Sequence, residues 1–409
     1  MKKRKDPKGR VLRDGECYRK SDGMYVFRWT SSDKKRCTIS SKTLDGLREK
    51  EDLVLQDLRD GKNANAQTLT LNNMFEMWLK DKHGLKPKTF WNYEYMYRHY
   101  VEPQFGQRLI VKIRRSDVRR FYNELIDTDT LSINTLGNIH LVIHQVFKMA
   151  VEDRYLMQNP AEELYGEIKR TRDERMEKRH ALTIAQQEAF INHIANSEVH
   201  KRWLPLFVFF LGTGCRVSEV TGLRWCDIDF EKNYISIDHG LVYNPRAGKT
   251  KSLYISTTKT VAGNRVIPML SDVREQLLAL KQYYLEHNIK CESVVDGYTD
   301  FVFLNRDSRV QTMTSINRLI DRIVVAYNDA ELERAEKEER IPELLPHFSC
   351  HHLRHTFATR LCENETNLKV IQDILGHSDI STTMNIYAEA TQEAKTQSFH
   401  KLDGKLKIL

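Results

Sequence analysis

The sequence lacks any apolar stretch that could cross a bilayer: its longest, Leu204 to Leu211, falls far short of the roughly 20 residues a spanning helix needs. No membrane association is expected. Cysteine is sparse, with seven residues at Cys17, Cys37, Cys215, Cys226, Cys291, Cys350 and Cys362 and no Cys-x-x-Cys pair. An odd count at wide spacing excludes a disulfide framework and a thiolate zinc site, and suits a reducing compartment. The N-terminus MKKRKDPKGR is basic but no apolar segment follows it, so no secretory leader is expected and the protein should be intracellular and soluble. Charge of a single sign is also missing: 64 basic side chains stand against 56 acidic ones, a net of +8. That balance alone fits many proteins that never meet a polyanion. Internal repeats and low-complexity tracts are absent too. What remains is ordinary for a folded protein, 40% hydrophobic and 29% charged.

Basic charge is clustered, however. The first twenty residues hold nine Lys or Arg against three Asp or Glu, and Lys169 to His180 holds six against three. Clusters at an N-terminal arm and at a linker suit a polyanionic partner, although either run alone also fits a solvated surface.

The periodicity predicts a multidomain α+β protein. Residues 1–65 read as a flexible basic arm followed by a small sheet and a helix. Strands over Glu16–Arg19 and Met24–Trp29 flank the turn Ser21-Asp22-Gly23, a third strand covers Arg36–Ile39, and Ser41 or Thr43 caps a helix carrying Leu44, Leu47, Val54 and Leu58. Residues 66–168 read as a helical bundle, with helices starting at Thr70 or Asn72, at Thr89, at Ser116-Asp117 and at Ser132. Lys86, Lys88, Arg114, Arg115 and Arg119 lie near those helix starts, where free N–H groups favour phosphate. They are candidate DNA contacts, though plain surface charge explains each about as well. Residues 169–180 read as a linker, 181–393 as a mainly helical domain with a small antiparallel sheet, and 394–409 as a tail that could pack at home or on a neighbour.

Four short blocks in the third domain carry chemistry only if they act together. In Gly212-Thr-Gly-Cys-Arg216-Val-Ser-Glu219, glycines break one helix and Arg216 opens the next, where its fork can meet a phosphate. Glu219 lies three residues on and can orient Arg216 or a histidine. Lys259 sits beside a turn on Ala262-Gly263-Asn264, flanked by two strands, and can donate a proton to a leaving alkoxide. In Cys350-His351-His352-Leu353-Arg354-His355, His351 and Arg354 share a helix face. A metal site is the rival there, with His347 just upstream, but no HExxH glutamate is present and Arg354 would oppose a cation. Last, Gly376-His377 ends a helix, and Ser381 or Thr382 can start another that displays Tyr387. Each block alone is more often a salt bridge, a turn lysine or a packed aromatic.

Together and in this order, the blocks resemble the tyrosine recombinase (integrase) family, and within it the integrases of conjugative transposons. The resemblance covers residues 212–390 most specifically. It implies a catalytic set of Arg216, Lys259, His351, Arg354, His377 and Tyr387, with Glu219 in support, and cleavage through a 3′-phosphotyrosyl link. It implies double-stranded DNA as substrate and a homo-tetramer on DNA that is a monomer or weak oligomer when free. An excision factor or a host DNA-bending protein is a further expected partner. No cofactor and no metal are expected, and the site of action is the bacterial cytoplasm and its nucleoid. A type IB topoisomerase shares the chemistry, and a DNA-binding regulator without catalysis or a metal-dependent nuclease remain alternatives.

Overall fold

A computed structural model describes residues 4–30, 36–59, 67–129, 131–172, 180–244, 252–257 and 263–388. The chain divides into two compact units, Met1–Met176 and Glu177–Leu409.

The first unit opens with three antiparallel strands in the order β1-β2-β3: β1 (Glu16–Arg19), β2 (Met24–Thr30) and β3 (Arg36–Ser41). Tyr25 and Phe27 point to one face and meet Leu44 and Leu47 of helix α1 (Leu44–Arg59), a small core of its own. Thr43 caps α1, its hydroxyl accepting from Gly46 N at 3.2 Å. Residues 4–10, expected in a flexible arm, are held in place. Asp6 is buried, accepts from Lys8 N at 2.9 Å and Arg10 N at 2.7 Å, and takes the Tyr25 hydroxyl at 2.9 Å. A carboxylate with that many donors folds residues 4–10 onto the sheet.

Helices α2 (Leu71–Asp81), α3 (Pro87–Met96), α4 (Arg115–Asp129) and α5 (Ile133–Glu152) surround a second core built on Phe75, Tyr97, Phe121, Tyr122 and Phe147. Thr70 and Ser132 cap α2 and α5 as expected. Helix α3 starts at Pro87 rather than Thr89, since proline suits a first helical turn, and runs into a π turn over Tyr97–Val101 before Pro103. Lys169–Arg172, expected in a linker, instead finish helix α6 (Leu164–Arg172). Leu164 and Ile168 are buried one turn apart, and three basic residues suit the negative end of the helix. Arg172 also reaches Asp127 at 2.7 Å.

The second unit is mainly helical. Helices α7 (Ile184–Asn196), α8 (Leu204–Thr213) and α9 (Val217–Gly222) lead into the strands β4 (Ile228–Asp229), β5 (Tyr234–Ile237), β6 (His239–Tyr243), β7 (Leu253–Thr257) and β8 (Arg265–Pro268). Then follow α10 (Ser271–Glu286), α11 (Met313–Lys337), α12 (Cys350–Asn364), α13 (Leu368–Leu375) and a helix over 380–388. The core gathers Phe190, Phe207, Phe210, Ile320, Phe348 and Leu353. Gly212 lies inside α8, and only Gly214, at φ 61°, takes the left-handed turn that ends it.

The strands flanking residues 258–264 do not pair with each other. Strand β7 pairs with β6 in a two-stranded sheet, while β8 pairs with β5 in the order β4-β5-β8. The two strands beside the turn expected around Lys259 thus belong to different sheets, and Lys259 itself lies outside the described residues. The 394–409 tail lies outside them as well. Among the described residues no helix is long and apolar enough to cross a membrane.

Candidate active site

Arg216 sits at the mouth of α9, just after the left-handed Gly214 has turned the chain. Its backbone N–H donates to Glu219 Oε2 at 2.8 Å, Nη1 donates to Glu219 Oε1 at 2.9 Å, and Nη2 donates to the Gly376 carbonyl at 2.6 Å. Arg216 keeps 36% of its side chain exposed, whereas Glu219 keeps 6%. The expected support from Glu219 is therefore present as a contact.

Arg354, on α12, donates through Nη1 to Gly214 O at 2.6 Å and through Nη2 to Leu375 O at 2.7 Å. Arg216 and Arg354, far apart in sequence, thus meet at the end of α13. That end is made by Gly376, whose φ of 63° closes the helix and aims the chain at His377. His377 is buried, and its Nδ1 lies 3.0 Å from the hydroxyl of the fully buried Thr383. Asp379 opens the next helix, accepting from Ser381 N at 2.9 Å, so the helix over 380–388 starts one residue ahead of Ser381. This helix carries Thr383 and Tyr387 one turn apart. Tyr387 is half-buried and packs against the small cluster of Ala358, Cys362, Ile371 and Leu375.

A residue in the Lys259 block to which the sequence reading assigns no role stands at the centre. Arg265 keeps only 5% of its side chain exposed. It donates to Glu219 through Nη2 (2.8 Å) and Nη1 (3.2 Å), and to the Ile374 carbonyl through Nε (2.8 Å). Strand alternation carries the signal that reveals it. Arg265 shares the inward face of β8 with buried Ile267, while Val266 points outward.

Two guanidiniums therefore hold one carboxylate, and a third, Arg354, binds the neighbouring Gly214 and Leu375 carbonyls. Burial alone would raise the Glu219 carboxyl, but Arg265 and then Arg216 overcome it and hold the group at about 2. Burial and the neighbouring Arg216 charge pull Arg354 down to about 10, still cationic at neutral pH. Burial, with the charges of Arg354, Arg216 and Arg265 behind it, pushes His377 down to about 4, so its ring is neutral near pH 7. Burial is the larger cause of both depressions, and the gathered arginine charges add to it. Such a site is suited to an anion.

His351 lies exposed on the first turn of α12, three residues before Arg354. The histidines around it do not gather for a metal. His352 Nδ1 accepts from Ser349 N at 3.1 Å, Cys350 Sγ donates to Asn317 Oδ1 at 2.9 Å, and His347 faces Asp321 at 3.3 Å. Among the described residues no three His, Cys, Asp or Glu side chains come together in a metal-holding group.

The five basic candidates of the first unit differ in their surroundings. Lys88 and Arg114 are exposed and Lys86 is half-buried at the start of α3. Arg115 and Arg119 both bind Glu167, at 2.6 and 2.5 Å.

Comparison with known proteins points to one family along the chain. The Phage integrase family profile matches residues 180–394, the Phage integrase N-terminal SAM-like domain matches 70–126, and the DNA binding domain of tn916 integrase matches 1–58. The transposase from transposon Tn916 of Enterococcus faecalis is 27% identical over 98% of this chain and 97% of its own length. A Tyrosine recombinase XerC-like protein of Caldanaerobacter subterraneus is 28% identical over 88% of this chain and 90% of its own. The Tn1549 transposon integrase, solved in complex with transposon right end DNA, matches with a TM-score of 0.69 at 28% identity, covering 82% of this chain and 100% of that one. A lambda integrase tetramer bound to a Holliday junction shares the fold at a TM-score of 0.51 and 17% identity, covering 92% of this chain and 96% of its own.

Proposed function

This chain belongs to the phage integrase family, and from that premise we propose that Tyr387 cuts DNA at a phosphate held by Arg216, Arg354 and His377. The protein is a site-specific tyrosine recombinase that cleaves and rejoins DNA strands and so integrates and excises a mobile element. The observation that carries the residue assignment is the convergence of three guanidiniums on the carbonyls that end α13, two of them also bonded to the buried Glu219 carboxylate.

In this reading the Tyr387 oxygen attacks phosphorus and the bond from phosphorus to the 5′ oxygen breaks. A 3′-phosphotyrosyl link forms and a 5′-hydroxyl is released. A tyrosine has an ordinary pKa of about 10, so its proton must leave during attack, and His351 takes it. Lys259 returns a proton to the departing 5′ oxygen. Attack by the 5′-hydroxyl of another strand reverses the step and restores Tyr387. The phosphodiester energy stays in the covalent link, so ATP is not required.

Negative charge grows on the non-bridging oxygens in the transition state. Arg216 and Arg354 neutralise it with donors already fixed in place. His377 adds a neutral hydrogen bond: its Nδ1 lies 3.0 Å from the Thr383 hydroxyl, and in this reading that hydroxyl donates to Nδ1 while the ring proton stays on Nε2. We further propose that Lys88 and Arg114 contact the phosphate backbone, that four copies assemble on two duplexes, and that an excision factor or a DNA-bending protein assists. The setting is the bacterial cytoplasm, on the nucleoid. Residues 1–65, 66–168 and 181–393 would act as arm-binding, core-binding and catalytic domains.

A nicked duplex carrying the mobile element's end tests the reading. An SDS-stable protein–DNA adduct should form in excess EDTA and be absent with Tyr387→Phe. Adduct formation by the phenylalanine variant, or cleavage abolished by EDTA, would overturn it.

A further inference from the structure

The last turn of an α-helix leaves carbonyls without partners inside the helix and carries a negative partial charge. At the end of α13 three successive carbonyls accept from three different arginines. Ile374 O takes Arg265 Nε at 2.8 Å, Leu375 O takes Arg354 Nη2 at 2.7 Å, and Gly376 O takes Arg216 Nη2 at 2.6 Å. Two of these arginines belong to the proposed phosphate clamp. Arg265 does not: at 5% exposure, its donors are directed at protein groups.

Glu219 decides what Arg265 does. A carboxylate can accept an arginine fork on both oxygens at once. Here Arg265 bonds Oε2 at 2.8 Å and reaches Oε1 at 3.2 Å, which leaves Arg216 a single side-chain bond, to Oε1 at 2.9 Å. Without Arg265, Glu219 would be a buried anion with one guanidinium in reach, and it would draw both arms of Arg216 inward. The fit is close: a Cβ on Gly376 would lie 2.9 Å from Arg265 Nη1.

We propose that Arg265 is a positioning residue for strand cleavage: it saturates Glu219 and indexes the end of α13, so that Arg216 keeps its free donors for the scissile phosphate. The inference rests on the recombinase reading above. Arg265 acts through Arg216 and does not touch the DNA.

The test compares two substrates for the full-length protein. One carries the natural scissile phosphate; the other carries a methylphosphonate, in which a methyl group replaces one charged non-bridging oxygen. Arg216→Ala should lose about 10²-fold in adduct formation on phosphate and far less on methylphosphonate. Arg265→Met should show the same substrate-dependent loss with DNA affinity unchanged, and Arg265→Lys should recover part of it. A purely structural ion pair predicts equal losses on both substrates, and that result, or no loss at all, overturns the inference. If Arg265→Met does not fold, judged by near-ultraviolet circular dichroism, Arg265→Lys carries the same comparison. Wild-type protein that forms no adduct, or Tyr387→Phe that does, would defeat the recombinase reading itself. Normal behaviour of those two with an uncoupled Arg265 would defeat only this proposal.

Discussion

At the scale of single residues, the site divides into groups that a local motif displays and groups that only a fold can bring in. Arg216, Arg354, His377 and Tyr387 each sit beside a helix start or end that the sequence announces, so their chemistry is readable from spacing. Arg265 and Thr383 are not, because their partners lie on other elements. Arg265 meets Glu219 from another strand–helix layer, and Thr383 meets His377 only once Gly376 has turned the chain. Thr383 supports a direct prediction. Removing its hydroxyl leaves the buried Nδ1 of His377 without the bond that selects its tautomer. Thr383→Val should slow adduct formation about fivefold, the equivalent of one ordinary hydrogen bond of ~1 kcal/mol, and Thr383→Ser should restore it. Single-turnover kinetics on a nicked duplex would decide; an unchanged rate in the valine variant would show that the hydroxyl does not matter.

At the scale of elements, helix caps are the most legible feature. Thr43, Thr70 and Ser132 cap where their side-chain chemistry says they should. Strand pairing is less so. The runs on either side of Lys259 look like two arms of one turn, yet β7 and β8 join different sheets. Pairing is settled by which neighbour buries a face, and that is not local information. The end of α6 is obscured for a different reason: its last residues are all polar or charged, so hydrophobic periodicity stops before the helix does. The left-handed end of α13 gives the prediction at this scale. Gly376→Ala places a side chain at φ 63° and crowds Arg265. The left-handed backbone alone costs about 1–2 kcal/mol, which lowers the melting temperature by roughly 2–8 °C in a unit of this size. Adduct formation should fall at least about tenfold at temperatures where the variant is still folded, since all three guanidiniums are indexed to this turn. Cleavage that tracks only the folded fraction would contradict this.

At the scale of the whole molecule, the proposed cleavage and binding residues fall on different compact units. Every proposed catalytic residue that the structure describes, from Arg216 to Tyr387, belongs to the second, and the basic helix starts belong to the first. The total of +8 conceals an uneven division: residues 1–176 carry a net +9 and residues 177–409 a net −1. Binding should accordingly separate from cleavage. Replacing Lys88 and Arg114 together by alanine should weaken DNA binding on every sequence alike. It should also reduce the slope of log affinity against log salt by about 2, close to one unit for each phosphate no longer neutralised. Fluorescence anisotropy across a salt series measures both. A change confined to one DNA sequence would mean that these side chains read bases instead.

The three arginine bonds at the end of α13 also constrain evolution by length. Each residue of an α-helix advances the chain by about 100° around its axis. Deleting or inserting one position between Asn367 and Gly376 would hand every guanidinium a carbonyl facing the wrong way. Relatives of this protein should therefore tolerate many substitutions along those eight residues but almost no gap.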